Sequence, residues 1–168
     1  MRKLLTASVI AILILGGCIK KDNKCNYSDS TIIVPDTEKQ TLQDSLTAHG
    51  ITAAVHASGF FYKINSQGSG QSVSNLCSTV SVEYKGGFFN GKIFDSTATG
   101  NIANFQLGAV IPGWQKGVPL VSKGGDITLY IPPSLAYGTN PVKDNQTGVV
   151  IIPGNSYLVF KIHLVDIQ

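Results

Sequence analysis

The sequence predicts an α+β fold: an antiparallel sheet curled around one short helix, preceded by an N-terminal helical extension. Three observations carry this expectation. Val80, Val82 and Tyr84, then Ile127, Leu129 and Ile131, then Leu158, Phe160, Ile162 and Leu164 recur every second residue, as in strands that bury one face. Phe88-Phe89 followed by Asn90-Gly91 is a hairpin signal. The only tryptophan stands in Val110-Ile111-Pro112-Gly113-Trp114, and Pro112 suits the first turn of a helix, where its missing N–H would have no partner anyway.

Taken in order, residues 19–34 mix Lys, Asp, Asn and Ser with Cys25 and Tyr27 and read as a linker that becomes ordered towards its end. A helix follows. Thr37 and Gln40 have the spacing of a capping box, Leu42 and Leu46 lie one turn apart, and Gly50 can end the segment in a left-handed conformation. Gly59 to Ile64 reads as a strand, and Asn65 to Gly70 as a loop. The strand from Val80 is expected to break at Gly86-Gly87, and Lys92 to Asp95 to return as the next one. Phe105 to Leu107 is a further strand. After the Trp114 segment, where Pro119 should kink or end the helix, Gly124-Gly125 turns the chain into the Ile127 strand, which Pro132-Pro133 stops. The rim 139–150 combines Gly, Asn, Asp and Pro without an apolar period and reads as a mobile loop. Tyr157 to Ile167 is the last strand.

Tyr84, Phe94, Phe105, Tyr137 and Phe160 flank Trp114 in sequence at spacings that let several strands converge on it. Such a cluster is either a packed core or the wall of a pocket floored by Trp114, and the residue types alone leave both open.

The chain has 168 residues, enough for one domain with a targeting segment and a short extension. Met1-Arg2-Lys3 is a basic start and residues 4–15 are nearly all apolar, the pattern of a secretory signal. The run is shorter than the roughly 20 residues a membrane span needs. It ends in Leu15-Gly16-Gly17-Cys18, which resembles a bacterial lipobox. That resemblance implies cleavage before Cys18, acylation of its thiol by palmitate, and a membrane anchor outside the cytoplasm. The expected divisions are 1–17 lipoprotein signal peptide, 18–34 lipidated tether, 35–79 extension with a helix and first strand, and 80–168 core domain.

Thirteen Lys and Arg stand against ten Asp and Glu; loss of Arg2 and Lys3 with the signal leaves eleven against ten, a net charge of +1. Arg2 is the only arginine. A nearly neutral protein without a guanidinium fork is not expected to bind nucleic acid. Lys20, Lys21 and Lys24 read as a solvated tether that can brush anionic lipid head groups. With Cys18 acylated, Cys25 and Cys77 remain, and an oxidising compartment would pair them. The bond would pin the extension beside the Val80 strand while leaving the pocket distant. Two packed free thiols are the alternative.

His49, His56 and His163 are too scattered for a metal site, no Gly-x-Ser-x-Gly elbow occurs, and Gly68-Ser69-Gly70 lacks the spacing of a phosphate loop. Any enzymatic activity is expected to run without metal, cofactor or nucleophile.

Several motifs in order then carry a resemblance. Val82-Glu83-Tyr84-Lys85-Gly86, Gly91-Lys92-Ile93-Phe94-Asp95-Ser96, Phe105-Gln106-Leu107-Gly108, Val110 to Trp114, Ile131-Pro132-Pro133-Ser134-Leu135-Ala136-Tyr137-Gly138 and Ile151-Ile152-Pro153 leading to Leu158-Val159-Phe160 resemble an FKBP-type peptidyl-prolyl cis-trans isomerase. The resemblance covers 80–167 strongly, and Cys25 to Cys77 more weakly as the extension of membrane-tethered members. It implies a half-barrel sheet around one helix. It implies Trp114 as the floor under a proline ring, with Tyr84, Phe94, Phe105, Val110 and Phe160 as walls and Ile152 as an outer wall. The Ile111 backbone N–H and the Tyr137 hydroxyl would bind substrate carbonyls, and Asp95 would sit beside the twisting amide. Proline-containing segments of exported polypeptides are the implied substrates, and macrolide inhibitors of the FKBP type are implied ligands. Two departures stand out: no arginine occurs between Ser96 and Asn104, and Ala103 replaces an aromatic. The competing reading is a chaperone or binding module on the same fold that holds polypeptides without isomerising them.

Overall fold

A computed structural model describes residues 25–168. The segment 1–17 expected to be a signal peptide, together with Cys18, Lys20, Lys21 and Lys24, lies outside the described residues. Helix α1 spans Asp36–Ala48, and strands β1 to β5 span Ala54–Val55, Phe61–Ser66, Thr79–Phe88, Ile93–Ser96 and Ala103–Gln106. Helix α2 follows at Pro112–Gly117, then β6 at Asp126–Ile131, β7 at Val142–Lys143, β8 at Val150–Ile152 and β9 at Leu158–Ile167. The main sheet runs β1-β2-β6-β9-β3-β4, with β5 also paired to β3, and every pairing is antiparallel. Its spine is β3 against β9, paired from Val80 opposite Ile167 to Phe88 opposite Leu158 with a register shift between Ser81 and Val82. Strand β2, which falls in the segment 35–79 expected to be an extension, pairs with β6 in this same sheet.

The alternating residues do what period two requires. Val80, Val82, Ile127, Leu129, Ile131, Leu158, Phe160, Ile162 and Leu164 all point into one core, which Trp114 of α2 and Val118 just after it close. Pro112 occupies the first turn of α2, and the helix ends at Gly117 in a short 3-10 turn, Val118–Leu120, that contains Pro119. The missing N–H of Pro119 gives the physical reason for the early end.

Four local expectations are corrected. Strand β3 does not stop at Gly86-Gly87 but runs to Phe88, with a register shift between the two glycines against β4. A Cβ on Gly86 would lie 2.7 Å from Phe160 and 2.9 Å from Phe94, so the glycine admits two rings against the strand rather than breaking it. The capping box does not form, because α1 begins at Asp36 after Pro35 and has no side-chain cap. Asp36 and Glu38 instead put negative charge at its positive end. Asn65 and Ser66 belong to β2, not to a loop. The rim 139–150 is partly a hairpin: β7 pairs with β8, and the Asp144 carboxylate accepts from the N–H groups of Gln146 and Thr147 and from the Thr147 hydroxyl.

The outer face of the sheet is also partly covered. Leu42 and Leu46 of α1 pack on Phe61 and Tyr130 in a second cluster, so β6 buries both of its faces. Ahead of α1, residues 25–33 run without regular structure along the body. Cys25 and Cys77 form a disulfide with Cα atoms 5.6 Å apart.

Candidate functional site

The inner face of the sheet and α2 leave one aromatic cavity of about 270 Å³, small for a ligand site. Trp114, 4% exposed, forms its floor. Tyr84, Phe105 and Phe160 stand edge-on to the indole with ring centres 5.4, 5.8 and 5.3 Å away, and Phe94 is edge-on to Phe160 at 5.7 Å. Edge-to-face contacts are worth about 0.5–1.5 kcal/mol each beyond burial, so the wall is rigid before any ligand arrives. Strands β3, β4, β5 and β9 each contribute one ring, which is why residues far apart in sequence meet here.

Tyr84, Phe94, Asp95, Phe105, Val110, Ile111, Trp114, Tyr137 and Phe160 all line this cavity. Ile152 does not. It is 3% exposed within the core, and the β7–β8 hairpin turns it inward rather than towards the cavity mouth. Ala103 lies in β5 opposite Val82, outside the cavity.

Three polar groups face a largely apolar space. The Tyr84 hydroxyl donates to Asp95 Oδ2 at 2.5 Å, fixing the carboxylate at the rim. The Ile111 N–H precedes α2 and has no acceptor among the described residues. The Tyr137 hydroxyl, on a residue 40% exposed, makes no hydrogen bond among them either. Both donors are therefore available to carbonyl oxygens of a bound chain.

Burial, then the hydrogen bond and charge of Asp95, raise the Tyr84 pKa far above the ordinary tyrosine value. Burial and the Asp95 charge also raise that of Tyr137. A raised tyrosine pKa means that folding favours the neutral phenol, so its contribution to stability is present below the unfolded value of about 10 and is lost as pH climbs past it. Ligand affinity should accordingly stay flat from pH 7 to about 9 as far as these hydroxyls are concerned, and the melting temperature should fall above about pH 10. A titration of affinity and of thermal melting against pH checks both.

Residues outside the predicted set complete the site. Ala109 joins the wall, and Gln115 Nε2 donates to the carbonyls of Gly108 at 3.2 Å and Val110 at 2.8 Å, holding the segment that presents Ile111. Tyr27 packs flat over Gly108, where a Cβ would overlap its ring, and its hydroxyl donates to Gln106 Oε1. The Gly108 N–H donates to the Leu76 carbonyl, next to Cys77. The disulfide is thus not distant from the pocket, contrary to the expectation from sequence, because β3 and the 107–109 turn share its neighbourhood. A larger depression of about 490 Å³ on the outer face runs between Glu83, Asp126, Lys161 and His163, but its lining mixes charged and aliphatic side chains and, of the rings around Trp114, includes only Tyr84.

The family model for FKBP-type peptidyl-prolyl cis-trans isomerases matches residues 70–165. The FKBP-type peptidyl-prolyl cis-trans isomerase FkpA of Buchnera aphidicola subsp. Baizongia pistaciae is 37% identical over 155 residues, 89% of this chain and 59% of the relative. The crystal structure of FkpA from Escherichia coli superposes with a TM-score of 0.64 at 36% identity, over 79% of this chain and 58% of that one. The crystal structure of AtFKBP13 gives a TM-score of 0.62 at 32% identity over 70% of this chain and 99% of that one. This chain therefore spans 39–59% of the length of the curated FkpA relatives it matches, but nearly all of the shorter AtFKBP13 chain. With an aromatic cavity built from the motifs' own residues and a family match over more than half its length, the chain belongs to the FKBP-type peptidyl-prolyl cis-trans isomerase family.

Proposed function

We propose that the protein catalyses rotation about Xaa-Pro bonds in exported polypeptides. One observation carries the reading: a largely apolar, aromatic-walled cavity floored by Trp114 has at its edge two donors without a partner among the described residues, the Ile111 N–H and the Tyr137 hydroxyl, and one oriented carboxylate, Asp95.

Rotation faces a barrier of roughly 20 kcal/mol because the twisted amide loses its resonance. Water stabilises the planar, polar ground state. An apolar wall withdraws that stabilisation, and donors fixed on either side of the bond favour the twisted geometry over the planar one. Trp114 takes the proline ring, and Tyr84, Phe94, Phe105, Val110 and Phe160 exclude water around it. The Ile111 N–H and the Tyr137 hydroxyl hold flanking carbonyls. Asp95, kept in place by Tyr84, stands beside the rotating amide, whose nitrogen gains basicity as it twists.

Aromatic walls beyond the proline site favour a bulky apolar residue before proline, so kcat/KM should rise from Ala-Pro to Leu-Pro peptides by about tenfold, the worth of a few methylene contacts. A peptide series with one residue changed checks this. Macrolides of the type that FKBP proteins bind are further ligands of the same apolar floor.

The N-terminal segment supports a location in the cell envelope, with Cys18 acylated, residues 18–34 as tether, and the isomerase core at 80–168 facing the periplasm or cell exterior. An oxidising compartment also suits the Cys25–Cys77 bond. Refolding of a polypeptide limited by proline isomerisation distinguishes this function from a holding module. Substoichiometric protein should accelerate the slow phase. If only stoichiometric amounts act, and by preventing aggregation, the holding module is the correct reading.

A further inference from the structure

We infer that Glu38, on the extension helix, is a positioning residue for Tyr137. The inference rests on the proposed role of the Tyr137 hydroxyl. Tyr137 follows a 3-10 turn, Pro133–Leu135, whose first two positions weaken its own start. Pro132 offers no side-chain acceptor at the cap and Pro133 has no N–H, so the Ser134 N–H is the first donor of the turn. Within the turn the Leu135 N–H reaches the Pro132 carbonyl, and the N–H groups of Ala136 and Gly138 reach that of Pro133, which leaves the Ser134 N–H unmatched locally. Glu38 Oε2 accepts it at 3.0 Å across 96 residues of sequence. The Ser134 hydroxyl is buried without a partner among the described residues, so the side-chain hydrogen bond that holds this residue is the one from its N–H to Glu38.

The carboxylate is itself held. Glu38, Leu42 and Leu46 are spaced four residues apart and share one face of α1, and both leucines are buried against Phe61 and Tyr130. Glu38 therefore reaches the turn from a helix anchored on the outer face of the sheet. A hydrogen bond to a charged acceptor is stronger than a neutral one, and losing it leaves a part-buried donor unsatisfied. The turn would then relax and the Tyr137 hydroxyl would lose its aim, although nothing in the cavity wall has changed. The extension thereby sets the geometry of a pocket it does not line.

The experiment compares kcat/KM for a Leu-Pro peptide in Glu38→Ala, Glu38→Gln, Tyr137→Phe and Glu38→Ala/Tyr137→Phe, with thermal melts on each. Tyr137→Phe alone should lower kcat/KM by about tenfold, as expected for one lost substrate hydrogen bond. Glu38→Ala should lower it by about three- to tenfold, and Glu38→Gln, whose amide oxygen accepts the same N–H, by no more than about twofold. In the Tyr137→Phe background, Glu38→Ala should cost less than about twofold, since the group it positions is gone. An equal loss from Glu38→Ala in both backgrounds, or no loss in the parent, overturns the inference while leaving the role of Tyr137 standing. No effect of Tyr137→Phe overturns that role and the inference with it.

Discussion

Replacing Trp114 by alanine should lower the melting temperature by about 10 °C or more and remove most of the affinity for proline peptides. The side chain is 4% exposed and contacts three rings edge-on, so its loss removes both the transfer energy of an indole and the packing of its neighbours. Truncating a buried aromatic of this kind costs about 3–5 kcal/mol, and a domain of this size loses about 3 °C for each kcal/mol. Total stability is typically about 5–15 kcal/mol, so the variant should remain folded, but over a cavity without a floor. Trp114→Phe separates the two roles. The indole Nε1 is buried without an acceptor among the described residues, and phenylalanine removes that donor while keeping an aromatic surface. It should cost much less stability than alanine and retain part of the activity. Calorimetry with peptide titration on both variants checks the pair, and equal losses in both would show that volume alone matters at this position.

Reducing the Cys25–Cys77 bond should have an effect of similar size on stability. The two cysteines are 52 residues apart, and closing a loop of that length stabilises by about 4 kcal/mol in the chain-entropy model. The consequence should extend to the pocket. Cys25 holds the start of the segment whose Tyr27 covers Gly108, and Lys116 Nζ, on α2, donates to the Ser30 carbonyl of the same segment. Release of residues 25–33 would expose the turn that leads to Val110 and Ile111. Reduction, or Cys25→Ser/Cys77→Ser, should therefore lower the melting temperature by about 10 °C and reduce kcat/KM by a few fold. Melting and turnover of oxidised and reduced protein measure both. An unchanged melting temperature, or two alkylatable thiols in the oxidised protein, would remove the bond from the account.

What could be read from the chain, and what could not, divides by the range of the interaction involved. Pro112 at a helix start and the two-residue period of β3, β6 and β9 are local signals, and they place Trp114 and the core face correctly. Coverage of the outer face is not local. Thr128 and Tyr130 look like the solvent side of β6, yet both are buried, Tyr130 under a helix some 80 residues earlier in the chain. Gly86-Gly87 misled for the same reason, since the rings that require a missing Cβ come from Phe94 and Phe160 on neighbouring strands. The site residues quoted in the motifs converge because each motif sits where a strand or turn meets the cavity. Ile152 does not, because the hairpin of β7 and β8 decides its direction. Gln115 and Glu38 were invisible because their partners are backbone atoms, which no residue type announces.

The central claim is tested most directly by the relaxation of a Leu-Pro tetrapeptide from cis to trans with and without residues 19–168, alongside Asp95→Ala. Asp95 is exposed at the cavity rim and its side-chain hydrogen-bond partner among the described residues is Tyr84, so this substitution should leave the fold intact. The predicted result is a relaxation rate that rises in proportion to wild-type protein and about tenfold less steeply with Asp95→Ala. Folded wild-type protein that binds the peptide yet leaves relaxation at its uncatalysed rate would contradict the claim.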